Sequence, residues 1–216
     1  RRESSNIEDR RASRLPGGRL GLGAIVIALA AAYFGIDPRL AQQVAESVAP
    51  SAVAPATSGP VSESATEAQD RKLVAIVLAD TEDTWNALLQ AGGGYREPRL
   101  VLFRGSTPTA CGTGEAAMGP FYCAADEKVY IDLAFYDQLR SSFQAPGDFA
   151  QAYVIAHEVG HHVQHLLGIS GKVQQARQRM DPVAGNALSV KLELQADCLA
   201  GVWGHHANRS RALLEN

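Results

Sequence analysis

The sequence predicts an α+β protein in which one transmembrane helix and a flexible linker precede a folded domain with a small sheet and a long histidine-bearing helix. Three observations predict this organisation. The seventeen residues from Leu20 to Ile36 carry no charge. Residues 37–70 are rich in Ala, Ser, Pro and Val, and such a segment buries too little apolar surface to fold. Residues 71–216 combine strand-like and helical patterns over a length that can bury a moderate core.

The N-terminal segment has the charge pattern of a membrane anchor. Residues 1–19 contain six arginines and three acids, whereas residues 20–70 contain one arginine and five acids. At 1.5 Å per residue the run 20–36 spans about 26 Å, slightly less than the hydrocarbon core of a bilayer. The basic flank predicts a single-pass membrane protein, with residues 1–19 cytoplasmic and the domain extracytoplasmic. The alternatives are a buried helix and a cleaved signal peptide, because Ala28-Leu29-Ala30 resembles a processing site.

Two segments of the domain have the β-branched and aromatic content of strands, Pro98–Gly105 and Lys128–Phe135. Before them, the segment from Asp70 to Gly92 predicts one or two helices. Between them, Cys111 and Cys123 bracket a glycine-rich loop. In an exported domain we expect these two cysteines to form a disulfide, and the alternative is a pair of free thiols.

The segment "YVIAHEVGHHVQHLLG", Tyr153 to Gly168, holds four of the six histidines of the chain. Asp148 and Gln151 have the spacing of a capping box, which predicts that a helix starts near Phe149. Gly168 is a typical C-terminal stop. The apolar positions between these signals recur at helical spacing: Val154, Ile155, Val159, Val163 and Leu166.

Within this helix the sequence contains H-E-x-x-H. His157 and His161 stand four residues apart, so both side chains project from one face and can bind one zinc ion at about 2.0–2.1 Å. Glu158 can reach a zinc-activated water as general base for hydrolysis. The alternative is a polar helix face whose histidines are only hydrogen-bonded. We expect His162 and His165 to be ordinary surface histidines.

A catalytic zinc commonly has three protein ligands, and the third must come from elsewhere. Gln164 and Leu167 occupy positions where the long metzincin pattern requires Gly and His, so that class is excluded. Downstream, Glu193 and Asp197 stand four apart in a second helical pattern, as a ligand and an orienting carboxylate would. The alternative for this pair is a solvated acidic face. Three other side chains are alternative third ligands: Cys198, His205 and His206. We expect Cys198 to be a buried residue instead.

These motifs together resemble the bacterial neutral zinc metallopeptidase family. The resemblance rests on "AHEVGHHVQ" and "ELQADCLAGVW", on Thr109–Leu139, and on "SSNIEDRR" with the apolar run after it. More distantly the chain resembles the gluzincins, whose third ligand is a glutamate in an E-x-x-x-D helix. Members of the family continue into further helical sequence, so we expect the domain 71–216 to be truncated at its C-terminus.

The resemblance implies a zincin-like metallopeptidase domain. Carried over onto this sequence, it implies His157, His161 and Glu193 as zinc ligands, Glu158 as catalytic base and Asp197 as the orienting carboxylate. It also implies that part of 119–131 forms an edge strand that lines the cleft and pairs with the substrate backbone.

The sequence therefore predicts a membrane-anchored zinc endopeptidase that acts on polypeptides. The net charge is −3 and no basic patch indicates nucleic acid binding. Three side chains are candidates to stabilise the oxyanion in the transition state: His205, His206 and Tyr130. Two rival functions stay open, a non-catalytic zinc-containing envelope protein that binds partners and a zinc amidase that acts on non-protein amides.

Overall fold

The main sheet has four strands in the order β1–β2–β6–β5. In the computed structural model, which describes residues 1–12, 61–90, 94–141 and 147–211, β1 and β6 flank β2 in parallel and β5 joins β6 antiparallel. The strands are β1 Ile7–Asp9, β2 Arg99–Phe103, β5 Phe121–Cys123 and β6 Lys128–Asp132. A separate antiparallel hairpin is formed by β3 Ser106–Thr109 and β4 Gly112–Glu115.

Five helices accompany these strands in the described ranges. They are α1 Ala65–Leu89, α2 Ala134–Ser141, α3 Asp148–Leu166, α4 Ile169–Arg177 and α5 Pro182–Arg211, with a short 3₁₀ turn at Ala116–Met118. This architecture confirms the prediction of an α+β domain with a small sheet.

The helix ends follow local chemistry. The side chain of Ser64 caps α1 by accepting the backbone N–H of Glu67 at 3.1 Å. Asp181 caps α5 through the N–H groups of Val183 and Ala184, and Pro182 occupies the first helical position. The predicted capping box of α3 is wrong: Asp148 already lies inside the helix.

The two faces of the sheet have different neighbours because side chains alternate along each strand. One face supplies Leu100, Leu102, Val129 and Ile131 to the core formed with α1, α3 and α5. The other face supplies Val101, Phe103, Cys123 and Tyr130 to a smaller cluster. Inside the main core, the indole N–H of Trp203 donates to Asp80 at 2.8 Å and links α5 to α1.

The first eleven residues belong to the same compact unit as residues 61–216. β1 pairs with β2, and the preceding residues surround the carboxylate of Glu82, which is only 1% exposed. That carboxylate accepts hydrogen bonds from Arg2 at 2.9 Å, Ser4 at 2.5 Å and Asn6 at 3.0 Å. The N-terminal residues thus supply hydrogen-bond partners to a buried carboxylate on α1. The predicted cytoplasmic location of residues 1–19 stays a prediction.

The predicted anchor and most of the predicted linker, Leu20–Ile36 and residues 37–60, lie outside the described residues. Of the helices within the described ranges, none has the length and apolar character needed to cross a membrane. At the other end of the linker the folded chain begins earlier than predicted, because α1 starts at Ala65.

Candidate metal centre

Three potential metal ligands meet where α3 crosses α5. Nε2 of His161 lies 3.1 Å from Nε2 of His157 and 3.2 Å from Oε2 of Glu193. Nε2 of His157 lies 3.4 Å from the same carboxylate oxygen. The two imidazoles come from consecutive turns of α3, and the carboxylate comes from α5. The structure therefore brings together the three ligands that the sequence predicts.

The hydrogen bonds at Nδ1 of the two imidazoles indicate which ligand the converging atoms can bind. Nδ1 of His157 lies 2.9 Å from Oδ1 of Asp197, and Nδ1 of His161 lies 2.9 Å from Oε1 of Gln164. Both oxygens accept, so each Nδ1 donates and each neutral ring presents an unprotonated Nε2. In this tautomer, two nitrogen lone pairs and a carboxylate oxygen face one another. This donor set and arrangement fit a zinc ion.

The orienting carboxylate has a second partner that sequence reasoning missed. Oδ1 of Asp197 also accepts the hydroxyl of Tyr153 at 2.5 Å. The bond from Tyr153, together with His157, holds the pKa of Asp197 below its usual value, although burial opposes this. Burial and the bond to Asp197 raise the pKa of Tyr153 to about 12. Tyr153 precedes His157 by four residues and therefore lies on the same face of α3. This spacing is the sequence signal that could have identified it.

The close approach of the two helices depends on a glycine. A Cβ at Gly160 would lie 2.9 Å from the backbone oxygen of Ala196 and 3.3 Å from its Cα. Ala196 is fully buried at this crossing. Small residues on both helices thus let the backbones meet, and this contact puts the turn that carries Glu193 opposite His157 and His161.

Glu158 lies beside the ligands but in a different environment. It is 7% exposed, and burial raises its pKa, opposed by the nearby His161 and His157. The backbone N–H of Tyr122 hydrogen-bonds to the Glu158 carboxylate, which favours the ionised form. A buried carboxylate with a raised pKa next to metal ligands has the properties of a general base.

A cleft of about 380 Å³ contains Glu158 and the three ligand residues. Its other lining residues are Pro120, Phe121, Tyr122, Ala124, Ser170 and Leu192. Four of these belong to β5 and its flanks, and β5 is the edge of the sheet among the described strands. The sequence predicts that part of 119–131 lines the cleft, and in the structure the lining residues of this segment lie within 120–124.

Helix α3 also fixes the edge strand through His162. The sequence prediction of a surface histidine is wrong, because His162 has no exposed area. Its Nε2 lies 2.6 Å from the carbonyl oxygen of Arg96 and must donate, so its Nδ1 accepts the hydroxyl of Tyr122 at 2.9 Å. Burial lowers the pKa of His162, which favours this neutral form. His165 is partly exposed and lies 3.5 Å from Glu127.

The structure does not bring the other candidates to the cleft. Tyr130 has no exposed area, donates to Asp126 at 2.6 Å and stacks on Phe121, on the sheet face away from α3. His205 follows Glu193 by three turns of α5, about 18 Å along the axis, and His206 is its neighbour. Cys198 is exposed, whereas the sequence had predicted its burial.

Cys111 and Cys123 form a disulfide. Cys123 is the last residue of β5, and Cys111 lies in the turn between β3 and β4. The bond therefore attaches the hairpin to the strand that lines the cleft. Gly114 of β4 completes this contact, because a Cβ there would lie 2.3 Å from the ring of Phe121.

The mixed α+β fold and the three converging ligands fit a zinc peptidase domain. The chain belongs to the family described as "Putative neutral zinc metallopeptidase", whose model matches residues 1–216. It is 46% identical over 233 residues to "Uncharacterized protein YpfJ" of Escherichia coli K12, an alignment that covers 99% of this chain and 76% of the relative. It is 46% identical over 125 residues to "Uncharacterized protein Rv2575" of Mycobacterium tuberculosis H37Rv, covering 57% of this chain and 40% of the relative. No solved structure matches the chain.

Proposed function

We propose that the protein is a zinc-dependent endopeptidase that binds one zinc ion through His157, His161 and Glu193. The observation that carries this proposal is the convergence of two imidazole Nε2 atoms and one carboxylate oxygen inside a cleft bordered by an edge strand. Zinc bound there would lower the pKa of a bound water and polarise the scissile carbonyl.

Glu158 supplies the proton transfers in this proposal. Its carboxylate accepts a proton from the attacking water and delivers it to the nitrogen of the leaving amine. Burial raises the pKa of this carboxylate above its usual value, which makes the ionised form a better proton acceptor. The bond from the backbone N–H of Tyr122 orients the carboxylate towards the cleft.

The edge strand supports a polypeptide substrate. Tyr122 belongs to β5, which is an edge strand among the described strands, and it lines the cleft beside Glu158. An extended substrate that pairs with β5 by strand addition would lie along this side of the cleft. A chain added to β5 would run past the metal ligands, which favours cleavage within a polypeptide.

The ligand count supports catalysis over a purely structural zinc site. A structural zinc is commonly closed by four protein ligands. In the part of the chain that the structure describes, the cluster contains three, and neither Cys198 nor the pair His205–His206 joins it. An open fourth position is what a hydrolytic site needs.

We also propose that the domain works outside the cytoplasm. The disulfide between Cys111 and Cys123 supports an oxidising compartment. Membrane attachment rests on the apolar run 20–36. If that run is an anchor, the pairing of β1 with β2 requires residues 1–11 to be on the same side of the membrane as the domain.

The proposal is tested by zinc analysis and by hydrolysis with the full chain, because β1 is part of the fold. Wild-type protein should contain about one zinc per chain and cleave unfolded polypeptides. Glu193→Ala should lose most of the metal, while Glu115→Ala, an exposed carboxylate on β4, should retain it. If Glu193→Ala contains as much zinc as the wild-type protein, the assignment of Glu193 as a zinc ligand is refuted. Zinc binding with cleavage of small amides but not of polypeptides would favour the amidase.

A further inference from the structure

Gln164 is a polar side chain that is completely buried between the helices of the metal centre. It lies on α3 three residues after His161, and it makes three hydrogen bonds. Its Oε1 lies 2.9 Å from Nδ1 of His161. Its Nε2 lies 2.7 Å from the carbonyl oxygen of Leu192 and 3.0 Å from Oε1 of Gln195. One acceptor and both amide protons are therefore in use.

The orientation of this amide follows from its partner on α5. The backbone oxygen of Leu192 can only accept, so the atom that faces it at 2.7 Å must be the amide nitrogen. The amide oxygen then faces His161, and Nδ1 of His161 must carry the proton. Its Nε2 is consequently the unprotonated nitrogen that points at His157 and Glu193. Gln164 thus sets the tautomer that metal binding requires.

The Gln164 side chain also bonds to the backbone next to the third ligand, Glu193. Leu192 directly precedes Glu193, and its carbonyl is held by Gln164 of the facing helix. Gln164 is therefore bonded both to one ligand residue and to the backbone beside another. The amide accepts on one side and donates on the other, so it can serve both contacts at once. A carboxylate would place an oxygen against the Leu192 carbonyl, and an apolar side chain would leave buried polar groups unpaired.

We propose that Gln164 is a positioning residue of the metal centre, which holds His161 in its Nδ1–H tautomer and keeps Glu193 in register with the two histidines. This inference rests on the proposed zinc site. Asp197 and Gln164 then act as reciprocal links between the helices: Asp197 reaches from α5 to His157, and Gln164 reaches from α3 to α5.

The test compares two buried glutamines of the same helix. Gln164→Met preserves side-chain length and removes all three hydrogen bonds. Gln151→Met is the matched control, because Gln151 is 3% exposed on α3 and is absent from the cleft lining. Zinc affinity, measured by competition with a chelator, should fall about 10–100-fold in Gln164→Met and stay at the wild-type value in Gln151→Met. Wild-type affinity in folded Gln164→Met, or equal losses in both variants, would overturn the proposal.

A second measurement uses the metal-free wild-type protein and decides the question even if Gln164→Met does not fold. Nitrogen-15 chemical shifts of the imidazoles distinguish the two neutral tautomers. His161 should be protonated at Nδ1, and protonation at Nε2 would overturn the proposal. Failure of the wild-type protein to bind zinc would refute the proposed function instead, while the tautomer would still report on Gln164.

Discussion

His157 on α3 and Asp197 on α5 are joined by a 2.9 Å hydrogen bond from Nδ1 to Oδ1, and the hydroxyl of Tyr153 donates to the same oxygen at 2.5 Å. The carboxylate fixes the imidazole, and the phenol fixes the carboxylate. Since burial and this bond raise the pKa of Tyr153 to about 12, the phenol stays a donor throughout the neutral range.

Removing the carboxylate should weaken metal binding more than removing the phenol. Asp197→Ala is expected to lower zinc affinity about 10–100-fold, because His157 loses the partner that sets its tautomer. Tyr153→Phe is expected to cause a smaller loss, because Asp197 still holds His157. Chelator competition measures both, and Asp148→Ala, an exposed acid at the start of α3, is the control. Equal losses of zinc affinity in Asp197→Ala and Tyr153→Phe would contradict the conclusion that Tyr153 acts on His157 through Asp197.

Glu158→Gln should separate catalysis from metal binding. The amide cannot accept the proton of the attacking water, so we expect peptide hydrolysis to fall about 10²–10⁴-fold. Zinc content should match wild type, because Glu158 is not among the converging ligand atoms. Glu193→Ala provides the contrast, since it should lose both zinc and activity. Turnover near the wild-type rate in Glu158→Gln would refute its assignment as the general base.

Gly160→Ala should disturb the metal centre without changing any ligand. The added methyl would lie 2.9 Å from the backbone oxygen of Ala196, so α3 and α5 must move apart. We expect a loss of about 1–3 kcal/mol in the free energy of unfolding, together with weaker zinc binding. Gly201→Ala on α5 is the matched control, because no atom lies within 4 Å of its added Cβ. That variant should be stabilised by about 0.5–1 kcal/mol.

The local part of the site could be predicted because helical spacing determines which side chains share a face. His157 and His161 need only a regular helix to converge, and the sequence predicted the ends of that helix to within two residues. The family assignment was confirmed, since the model of the family matches the chain, and the α+β class was confirmed by the observed strands and helices.

The remaining features depend on contacts between distant segments. Tyr153 and Gln164 gain their partners only through the crossing at Gly160, which no single-helix pattern reveals. Tyr130 lies in a strand, as the sequence predicts. The alternation of side chains does not reveal which face of the sheet packs against α3, so the position of Tyr130 away from the cleft could not be predicted. β1 was missed because three residues in an arginine-rich segment give no strand signal. Its partner strand begins at Arg99, far along the chain.

Labelling of intact cells should place both ends of the described unit on the same side of any membrane. β1 and β2 belong to one sheet, so a single crossing between residue 11 and residue 61 would separate paired strands. The exposed Cys198 reports on the domain, and Ser5→Cys in a Cys198→Ala background reports on the N-terminus. An impermeant thiol reagent should label both positions or neither, and permeabilised cells should label both. Opposite accessibility would show that β1 does not pair with β2 in the cell.

Acid should weaken the attachment of β1 through Glu8. The side chain of Arg10 donates to Glu8 at 2.7 Å, and Lys128 of β6 donates to it at 2.9 Å. The bond from Arg10, opposed by burial and reinforced by Lys128, lowers the pKa of Glu8 from 4.5 to about 2. A carboxylate with a depressed pKa stabilises the fold fully above its unfolded pKa, and this stabilisation is lost as the pH falls towards 2.

Glu8→Gln should therefore be less stable than wild type at neutral pH, and the difference should shrink as the pH falls from 4.5 towards 2. Because Glu8 is about one third exposed, the difference will be small, and it should decrease further with added salt. Urea unfolding of the metal-free protein at a series of pH values measures it. Glu3→Gln removes an exposed carboxylate from the same segment and leaves the bonds of Glu8 intact, so it should not reproduce this pH dependence. A stability difference for Glu8→Gln that is constant across the acid range would mean that β1 is not held by these charges in solution.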